Sequence, residues 1–383
     1  MEEPTTVRSS SRFHNFSRLN TGEQARVVAE FARLDESDRR TLQRLIERRD
    51  SPQMQIAPNF TINGKDYFVP MVTEEASVVP AASNGARLVA KSGGFTAGYT
   101  GSEMMGNIQI TDVKDPMAVA VKLLAYKNLI LVHANEASRH IVADDFAVEA
   151  VPRDGPGNMI AVNFTFHTAD SMGANKINEM LERVGPMIRN VIGDNGRVNA
   201  GIMSNSSKNR LVMVGAKVLA EDLGGEEVAE KIARLSEFGS LYPDRAVTEN
   251  KGIMNGVIGV LTAMDNDTRA EEAAAHKYAW QDGYYRSLSR WMLDNDGNLQ
   301  GELTIPAQFG VIGGSVGIYI QSRIARRILS RNDVDNFHVG EFACIAGSAG
   351  LANNLAALWK IASEGIQAGH MRLFERQKND LLR

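Results

Sequence analysis

The sequence predicts an α+β fold in which a large, mostly helical domain is interrupted by a smaller α+β domain. One observation behind this prediction is length, because 383 residues are more than one compact domain usually holds. The other is a change of pattern along the chain. Strand and helix patterns alternate from about residue 106 to residue 212, whereas Ala-rich helical patterns and Gly-rich loops lie on both sides. We therefore predict a large domain formed by 1–105 and 213–362, with 106–212 inserted into it.

The first 105 residues are predicted to contain short helices followed by a hairpin. Thr21 and Gln24 have the spacing of a capping box, and an apolar, helix-like run follows them. An Asn-Gly pair at 63–64 lies between two strand-like runs within 60–72, which is typical of a tight β-turn. A run of small residues then predicts a closely packed helix that ends before Gly93.

The inserted region is predicted to be a split βαβ-like domain. One helical segment, 176–192, has apolar residues at the i, i+3, i+4, i+7 spacing of an amphipathic helix. Another helix is predicted at 116–135. Strand patterns lie before, between and after these helices, at 106–113, 146–153, 159–168, 198–204 and 211–218.

Composition and charge argue against several classes of function. A formal net charge of −4 gives no electrostatic basis for binding nucleic acid or an anionic membrane surface. We find neither an apolar signal core at the N-terminus nor about 20 uninterrupted apolar residues, so we expect a cytoplasmic protein that does not span a membrane. Cys344 is the only cysteine and the seven histidines are scattered, which argues against a disulfide and against a zinc or iron site.

The segment 167–178 is the first candidate site. A predicted strand ends there and an amphipathic helix begins, with small residues that let a ligand approach the backbone. The N–H groups at such a helix start can bind a phosphate, although an ordinary N-cap with a glycine for fit explains the pattern as well. The chain has no GxGxxG after a strand, and the Gly-rich run at 310–317 has the wrong spacing. A dinucleotide-binding domain in this chain would therefore not be a Rossmann fold.

Three other segments carry side chains suited to acid–base chemistry. Glu74 and Glu75 lie where a strand meets a helix, so one carboxyl group can face a pocket and serve as a general acid. Lys251 is predicted to lie in a glycine-lined loop, where its ammonium group can stabilise an oxyanion, and Asp267 follows at the start of a helix. His370 lies near the C-terminus, on a segment that can close over a site and transfer a proton. Taken singly, each position is explained at least as well by a surface charge or a helix cap.

Together, in this order and at this spacing, these segments resemble the 3-hydroxy-3-methylglutaryl-coenzyme A reductase family, class II, the soluble bacterial type. The resemblance extends from about Phe60 to Met371. It is carried by the motifs VPMVTEEASVV, DSMGAN, ENKGIMNG, DNDTRAEEAAAH and SEGIQAGHM. It implies an enzyme that interconverts hydroxymethylglutaryl-CoA with mevalonate and CoA by two hydride transfers with NAD(P)H, through mevaldyl-CoA and mevaldehyde.

The resemblance also implies a role for each matching residue. Lys251 would stabilise the carbonyl oxygen, Glu75 would donate a proton to it, and Asp267 would link the two. His370 would protonate the departing CoA thiolate. The other matches are substrate contacts at Ser77, Arg245 and Asn255 and a nucleotide-binding turn at Asp170, Met172, Gly173, Ala174 and Asn175.

The family fold implies that 106–212 is a ferredoxin-like, non-Rossmann domain that binds NAD or NADP, while the large domain binds acyl-CoA. Residues 363–383 would form a shortened C-terminal flap that carries His370. The resemblance further implies at least a homodimer, with active sites between subunits. From the single cysteine and the scattered histidines we expect no metal. Glu136 would repel the 2′-phosphate of NADP and so favours NAD, unless it is only a solvated glutamate at a helix end.

Some segments depart from the family pattern. The interface motif expected before residue 60 is absent, and 315–323 replaces a Thr-Lys-Thr-His-Pro stretch. These departures leave two alternatives beside the reductase: a diverged reductase of a related acyl-CoA, and a catalytically silent paralogue that binds CoA.

Overall fold

A computed structural model describes residues 16–47, 54–152, 158–206 and 208–363. The described residues divide into two compact units. The larger unit holds those up to Tyr99 and those from Leu211 onward, and the smaller unit is the insertion 100–210. That the smaller unit binds the nucleotide stays a prediction.

The regular elements follow the chain in three groups. Before the insertion lie α1 (Thr21–Ala32), α2 (Glu36–Glu47), β1 (Met54–Ile62), β2 (Lys65–Val72), α3 (Val78–Ala90) and β3 (Thr96–Tyr99). The insertion contains β4 (Glu103–Val113), α4 (Pro116–Ala125), α5 (Lys127–Asn135), β5 (Val142–Val151), β6 (Asn158–His167), α6 (Ala174–Ile192) and β7 (Arg197–Ser204). After it come β8 (Leu211–Val218), α7 (Ala220–Leu223), α8 (Glu226–Leu241), α9 (Pro243–Ala263), α10 (Thr268–Ala279), β9 (Trp280–Gln281), β10 (Tyr284–Tyr285), β11 (Ser289–Leu293), β12 (Leu299–Pro306), α11 (Ile320–Leu329) and α12 (Val339–Ser363).

The capping box of α1 lies one residue earlier than we predicted. Asn20 is the N-cap: its Oδ1 accepts a hydrogen bond from Glu23 N at 2.9 Å, and the Glu23 carboxylate accepts one from Asn20 N at 3.0 Å. Thr21 Oγ1 instead donates to Glu47 on α2 at 3.1 Å. A capping box is present as predicted, but its predicted position was wrong, because the Asn20 side chain is the acceptor and lies one residue before Thr21.

The predicted hairpin is present, with β1 and β2 paired antiparallel. Asn63 and Gly64 form its turn, and both have positive φ, 49° and 76°, as the tight turns favoured by Asn-Gly require. The larger unit also contains a four-stranded antiparallel sheet with the order β11-β12-β8-β3. Strand β8, which the sequence pattern groups with the strands of the insertion, is an inner strand of this sheet.

Helix α12 is the central helix of the larger unit. Among the described residues, α12 is long and apolar enough to cross a membrane, but 89% of its apolar stretch is buried inside the protein. The bent pair α4–α5 meets the same criteria of length and composition if its two helices are counted as one span. Helices α3 and α9 pack against it at very short range. A Cβ on Gly85 would lie 2.0 Å from Ala352 O, and one on Gly256 would lie 2.3 Å from Ala349 O. Only glycine permits these two contacts, so α12 is a core helix held between α3 and α9.

The insertion is a four-stranded antiparallel sheet with the order β5-β6-β4-β7. The elements follow one another as βαββαβ, because α4 and α5 follow β4 and α6 follows β6. This is the predicted ferredoxin-like topology, and it differs from the parallel sheet of a Rossmann fold. Its core joins sheet residues such as Ile108 and Phe164 to the apolar face of α6, including Ile177 and Leu181.

The single helix predicted at 116–135 is two helices. Helix α4 ends before Tyr126, and α5 continues at an angle of 63° to it. Helical periodicity does not reveal such a bend, because both segments keep the same spacing. The change of direction lets Leu123 of α4 and Ile130 of α5 both be buried in the core of the insertion.

Candidate active site

Glu75 lies in the short segment between β2 and α3. Its backbone N–H donates to Thr73 Oγ1 at 3.2 Å, and Ser77 Oγ donates to its Oε1 at 2.5 Å. These local bonds fix the carboxylate beside the start of α3. Glu75 and Ser77 both line a cavity of about 540 Å³ in the larger unit, whereas the neighbouring Glu74 is exposed.

Lys251 does not lie in a loop, and our prediction for 248–257 was wrong. The whole segment belongs to helix α9. The glycines that suggested a turn are helical, and Gly256 serves the contact with α12 described above. Lys251 Nζ donates to Glu75 Oε2 at 3.3 Å. The lysine side chain is 63% exposed and that of Glu75 37%, so solvent and a ligand can both reach the pair.

Asn255 lies one helical turn after Lys251. In the amide orientation that satisfies both groups, its Oδ1 accepts a hydrogen bond from Lys251 Nζ at 3.1 Å and its Nδ2 donates to Lys251 O at 3.3 Å. The ammonium group is therefore held between the Glu75 carboxylate and the Asn255 amide. An ammonium group has three donors, so a third N–H is available to an oxygen atom of a ligand in the cavity.

Arg245 brings a second positive charge to the same cavity. It lies in the first turns of α9, its side chain is 19% exposed, and its Nη2 lies 3.5 Å from Glu249 Oε2. The structure thus gathers most of the predicted catalytic and substrate-binding residues in one cavity. Those that line it are Glu75, Ser77, Arg245, Lys251 and Asn255.

Three further cavity residues were missed by our sequence reasoning: Glu249, Asn353 and Asn354. Asn353 Nδ2 donates to Gly252 O at 2.6 Å, and Asn354 Nδ2 donates to Glu249 Oε1 at 3.3 Å. Glu249 follows Arg245 by four residues, which places the two on one face of a helix. That signal was hidden because we interpreted the segment as a loop.

Asp267 is not among the residues that line the cavity. It is the N-cap of α10, where its Oδ1 accepts hydrogen bonds from the backbone N–H of Arg269 at 3.2 Å and of Ala270 at 3.3 Å. The predicted link from Asp267 to Lys251 and Glu75 therefore stays a prediction. His370 lies outside the described residues.

The predicted nucleotide-binding turn lies in the insertion, between β6 and α6. Gly173 is the N-cap of α6 with a φ of 81°, and a Cβ there would lie 2.7 Å from Ile141 Cδ1, so glycine is required. Because Gly173 has no side chain to cap the helix, the first-turn N–H groups can serve an anion, which the dipole of this 19-residue helix also favours. The other predicted members flank it at Asp170, Met172, Ala174 and Asn175.

Arg210 holds this turn in place and was not predicted. Its side chain is fully buried. Its Nη1 donates to Thr168 Oγ1 at 2.7 Å and its Nη2 donates to Ser171 O at 3.2 Å. The residue lies at the end of the insertion, far along the chain from the turn, so no local pattern indicated the contact.

Glu136, on which the preference for NAD depended, is an ion-paired residue. It accepts a hydrogen bond from Arg183 Nη2 and lies 3.1 Å from His133 Nδ1. The hydrogen bond from Arg183 lowers the pKa of this carboxyl group. Because the charge is balanced by a neighbouring guanidinium, Glu136 repels a 2′-phosphate less than a lone carboxylate would.

Metal ligands do not cluster in the part of the chain that the structure describes. No group of three or more His, Cys, Asp or Glu side chains suited to a metal ion occurs there. Cys344 is buried in α12, and burial raises the pKa of its thiol.

Comparison with known proteins identifies the family. The family described as hydroxymethylglutaryl-coenzyme A reductase matches residues 43–375. The chain belongs to this family. The family membership that we predicted from five short motifs is therefore confirmed, and the chain is an enzyme of the HMG-CoA reductase type.

Individual members of the HMG-CoA reductase family match most of the chain. The 3-hydroxy-3-methylglutaryl-coenzyme A reductase of Archaeoglobus fulgidus is 39% identical over 96% of this chain and 86% of its own length. A probable 3-hydroxy-3-methylglutaryl-coenzyme A reductase of Borreliella burgdorferi is 34% identical over 83% of this chain and 73% of its own length.

A solved structure supports the fold. The class II HMG-CoA reductase from Streptococcus pneumoniae, bound to NADPH in open conformations, superposes with a TM-score of 0.84 and 33% identity, covering 92% of this chain and 100% of that one. The predicted class II type and α+β fold are thereby confirmed.

Proposed function

We propose that this chain interconverts 3-hydroxy-3-methylglutaryl-CoA with mevalonate and CoA, using NAD(P)H as the reductant. The observation that carries the proposal is the pairing of Lys251 Nζ with Glu75 Oε2 at 3.3 Å in a cavity that Arg245 also lines. Reduction of the thioester to the alcohol consumes two hydrides and two protons and releases CoA as the thiol. The nicotinamide cofactor supplies the hydrides.

Lys251 and Glu75 act on the carbonyl oxygen of the thioester. As negative charge develops on that oxygen, the third N–H of Lys251 stabilises it, and the loss of one such donor typically costs about 2.7–4 kcal/mol. The Glu75 carboxyl group, which in its protonated form is the general acid, then donates a proton to give the hemithioacetal, mevaldyl-CoA. Ser77 keeps the Glu75 carboxylate in place through the hydrogen bond to Oε1.

Collapse of the hemithioacetal breaks the carbon–sulfur bond and forms mevaldehyde. The hydroxyl proton returns to Glu75, and we assign protonation of the leaving CoA thiolate to His370. The same Lys251 and Glu75 groups then stabilise and protonate the oxygen of the aldehyde as it becomes the primary alcohol of mevalonate. We propose that Asp267 links Lys251 and Glu75, because it matches the corresponding residue of the family motif.

Arg245, Ser77 and Asn255 are proposed to bind the acyl group. Arg245 is suited to the free carboxylate of the substrate, because a guanidinium can donate two parallel hydrogen bonds to it. Asn255 accepts a hydrogen bond from the Lys251 ammonium group, so it would lie next to the reacting oxygen that this ammonium group stabilises.

The turn at Asp170, Met172, Gly173, Ala174 and Asn175 is proposed to bind the dinucleotide. The uncapped start of α6 supports this proposal, because its N–H donors suit a phosphate. NADPH is bound by the Streptococcus pneumoniae relative. Since Glu136 is paired with Arg183, we propose that this chain accepts NADPH as well as NADH, without the slight preference for NAD that an unpaired Glu136 would give.

A spectrophotometric assay tests the function. We expect oxidation of NADH or NADPH that depends on hydroxymethylglutaryl-CoA, and formation of either from mevalonate, CoA and the oxidised cofactor. Turnover of a related acyl-CoA but not of this thioester would favour the diverged reductase. Binding of CoA without any turnover would favour the silent paralogue.

We also propose that the protein is cytoplasmic and forms at least a homodimer, as class II relatives are expected to. Light scattering coupled to size exclusion tests the second point, and a monomer at assay concentration would contradict it.

A further inference from the structure

Glu249 is an almost fully buried carboxyl group in the wall of the cavity. Only 3% of the residue is exposed. Its Oε1 accepts a hydrogen bond from Asn354 Nδ2 at 3.3 Å and lies 3.4 Å from Ser289 Oγ. Its Oε2 makes no hydrogen bond among the described residues, but lies 3.5 Å from Arg245 Nη2. Burying a carboxyl group costs free energy, so we expect that Glu249 has a function beside the cavity that offsets this cost.

We propose that Glu249 is a positioning residue that orients the Arg245 guanidinium for the free carboxylate of the substrate. This inference rests on the proposed function. A guanidinium is planar and has five N–H donors, so one nitrogen can face Glu249 while others face a ligand. Arg245 lines the cavity and keeps 19% of its side chain exposed, as such sharing requires.

The surroundings of Glu249 hold it rigidly. Asn354, which donates to the carboxylate, accepts hydrogen bonds through its Oδ1 from Trp291 Nε1 at 2.7 Å and from Ser289 Oγ at 3.0 Å. Trp291 is itself buried in the core. The carboxylate is therefore fixed from α12 and β11, and the orientation it imposes on Arg245 exists before substrate binds.

Helix α8 leaves room for the carboxylate. A Cβ on Gly239 would lie 2.3 Å from Glu249 Oε2, the atom nearest Arg245. An alanine there would force the end of the Glu249 side chain out of its held position, because a side-chain end gives way more readily than the backbone of two packed helices. Gly239→Ala thus moves the carboxylate without removing it.

Two variants and one control test the inference. Glu249→Gln removes the charge and Gly239→Ala shifts it. Glu341→Gln is the control, because Glu341 is a partly buried carboxyl group of the same unit that binds Tyr67 Oη and does not line the cavity. Steady-state kinetics would give KM and kcat for hydroxymethylglutaryl-CoA, and calorimetric titration would give Kd for free 3-hydroxy-3-methylglutarate and for CoA.

We expect Glu249→Gln to raise KM for the thioester and Kd for the free dicarboxylate about tenfold, with kcat and Kd for CoA within about twofold. Gly239→Ala should act in the same direction and the control should change nothing. An unchanged Kd for the dicarboxylate in both variants would overturn the inference. So would a lower Kd, which would show that Glu249 competes with the substrate for Arg245. If the parent protein binds the dicarboxylate but reduces no thioester, the proposed function fails while the titration still decides the role of Glu249.

Discussion

Lys251 Nζ lies 3.3 Å from Glu75 Oε2, although 176 positions separate the two residues along the chain. The contact depends on two elements that converge on the core helix α12. Helix α9 carries Lys251 and meets α12 through Gly256, and α3, which follows Glu75, meets α12 through Gly85. These two glycine contacts therefore help to set the distance between Glu75 and Lys251, the proposed general acid and oxyanion stabiliser.

Removal of either member of this pair should slow the chemical step. We expect Lys251→Ala and Glu75→Gln each to lower kcat about 100- to 1,000-fold with little change in KM, because both act on charge that develops in the transition state. The double variant should lose far less kcat than the two single fold-losses multiplied together, since the two groups act as a unit. Kinetics of the four proteins test this, and a multiplicative loss would show that the two residues work independently.

The contact between α9 and α12 should be sensitive to one added carbon atom. A Cβ on Gly256 would meet the backbone oxygen of Ala349 at 2.3 Å, so Gly256→Ala should lower the free energy of unfolding by about 2 kcal/mol or more. Gly252 on the same helix is the matched control, because a Cβ there meets nothing within 4 Å. Gly252→Ala should instead stabilise by about 0.5–1 kcal/mol. Urea denaturation would measure both, and equal effects of the two alanines would contradict the packing argument.

The segment 248–257 has the local pattern of a turn but is helical. Asn-Gly at 63–64 and Asn-Gly at 255–256 look alike locally, but the first is a hairpin turn and the second lies inside α9. At 256 the glycine is required by the close approach of α12, which no local pattern displays. Tertiary packing overrides turn propensity there.

Other parts of the fold could be predicted from the sequence, because the signals for them are local. The helix at 174–192 has a regular apolar face, and the hairpin has a strong turn signal, so both were predicted. Arg210 was missed because its partners are distant in the chain. Glu249 was missed because a loop was expected there, and a loop does not bring together residues four positions apart such as Arg245 and Glu249. For Glu75 and Lys251, local chemistry favoured ordinary surface roles, and only the combination of motifs indicated a shared site.

Arg210 should matter for the nucleotide and not for the thioester. Arg210→Met removes donors to Thr168 Oγ1 and Ser171 O, next to the proposed nucleotide-binding turn. We expect KM for NAD(P)H to rise about tenfold or more and the insertion to lose stability, because a buried acceptor left without its donor costs about 1–3 kcal/mol. Arg189→Met on the exposed side of α6 is the control. An unchanged KM for the nucleotide would show that Arg210 does not contribute to cofactor binding.

The stability of the protein should carry a pH dependence from Glu249. Burial raises the pKa of this carboxyl group above its ordinary value of 4.5. The folded state then binds the proton more tightly than the unfolded chain, so this contribution to stability is complete below about pH 4.5 and is lost as pH rises through the raised pKa. The free energy of unfolding of Glu249→Gln, measured by denaturation from pH 4 upward, should not show this decline. Parallel curves for the parent and the variant would contradict the raised pKa.

The proposed reduction consumes two hydrides for each thioester and takes place at the Lys251–Glu75 pair. The most direct test is the stoichiometry of the reaction, with mevalonate quantified by mass spectrometry and NAD(P)H by absorbance in the same sample. We predict two NAD(P)H oxidised for each mevalonate and each CoA formed, with the rate reduced at least 100-fold in Lys251→Ala. A ratio of one, or an unimpaired Lys251→Ala, would contradict the claim.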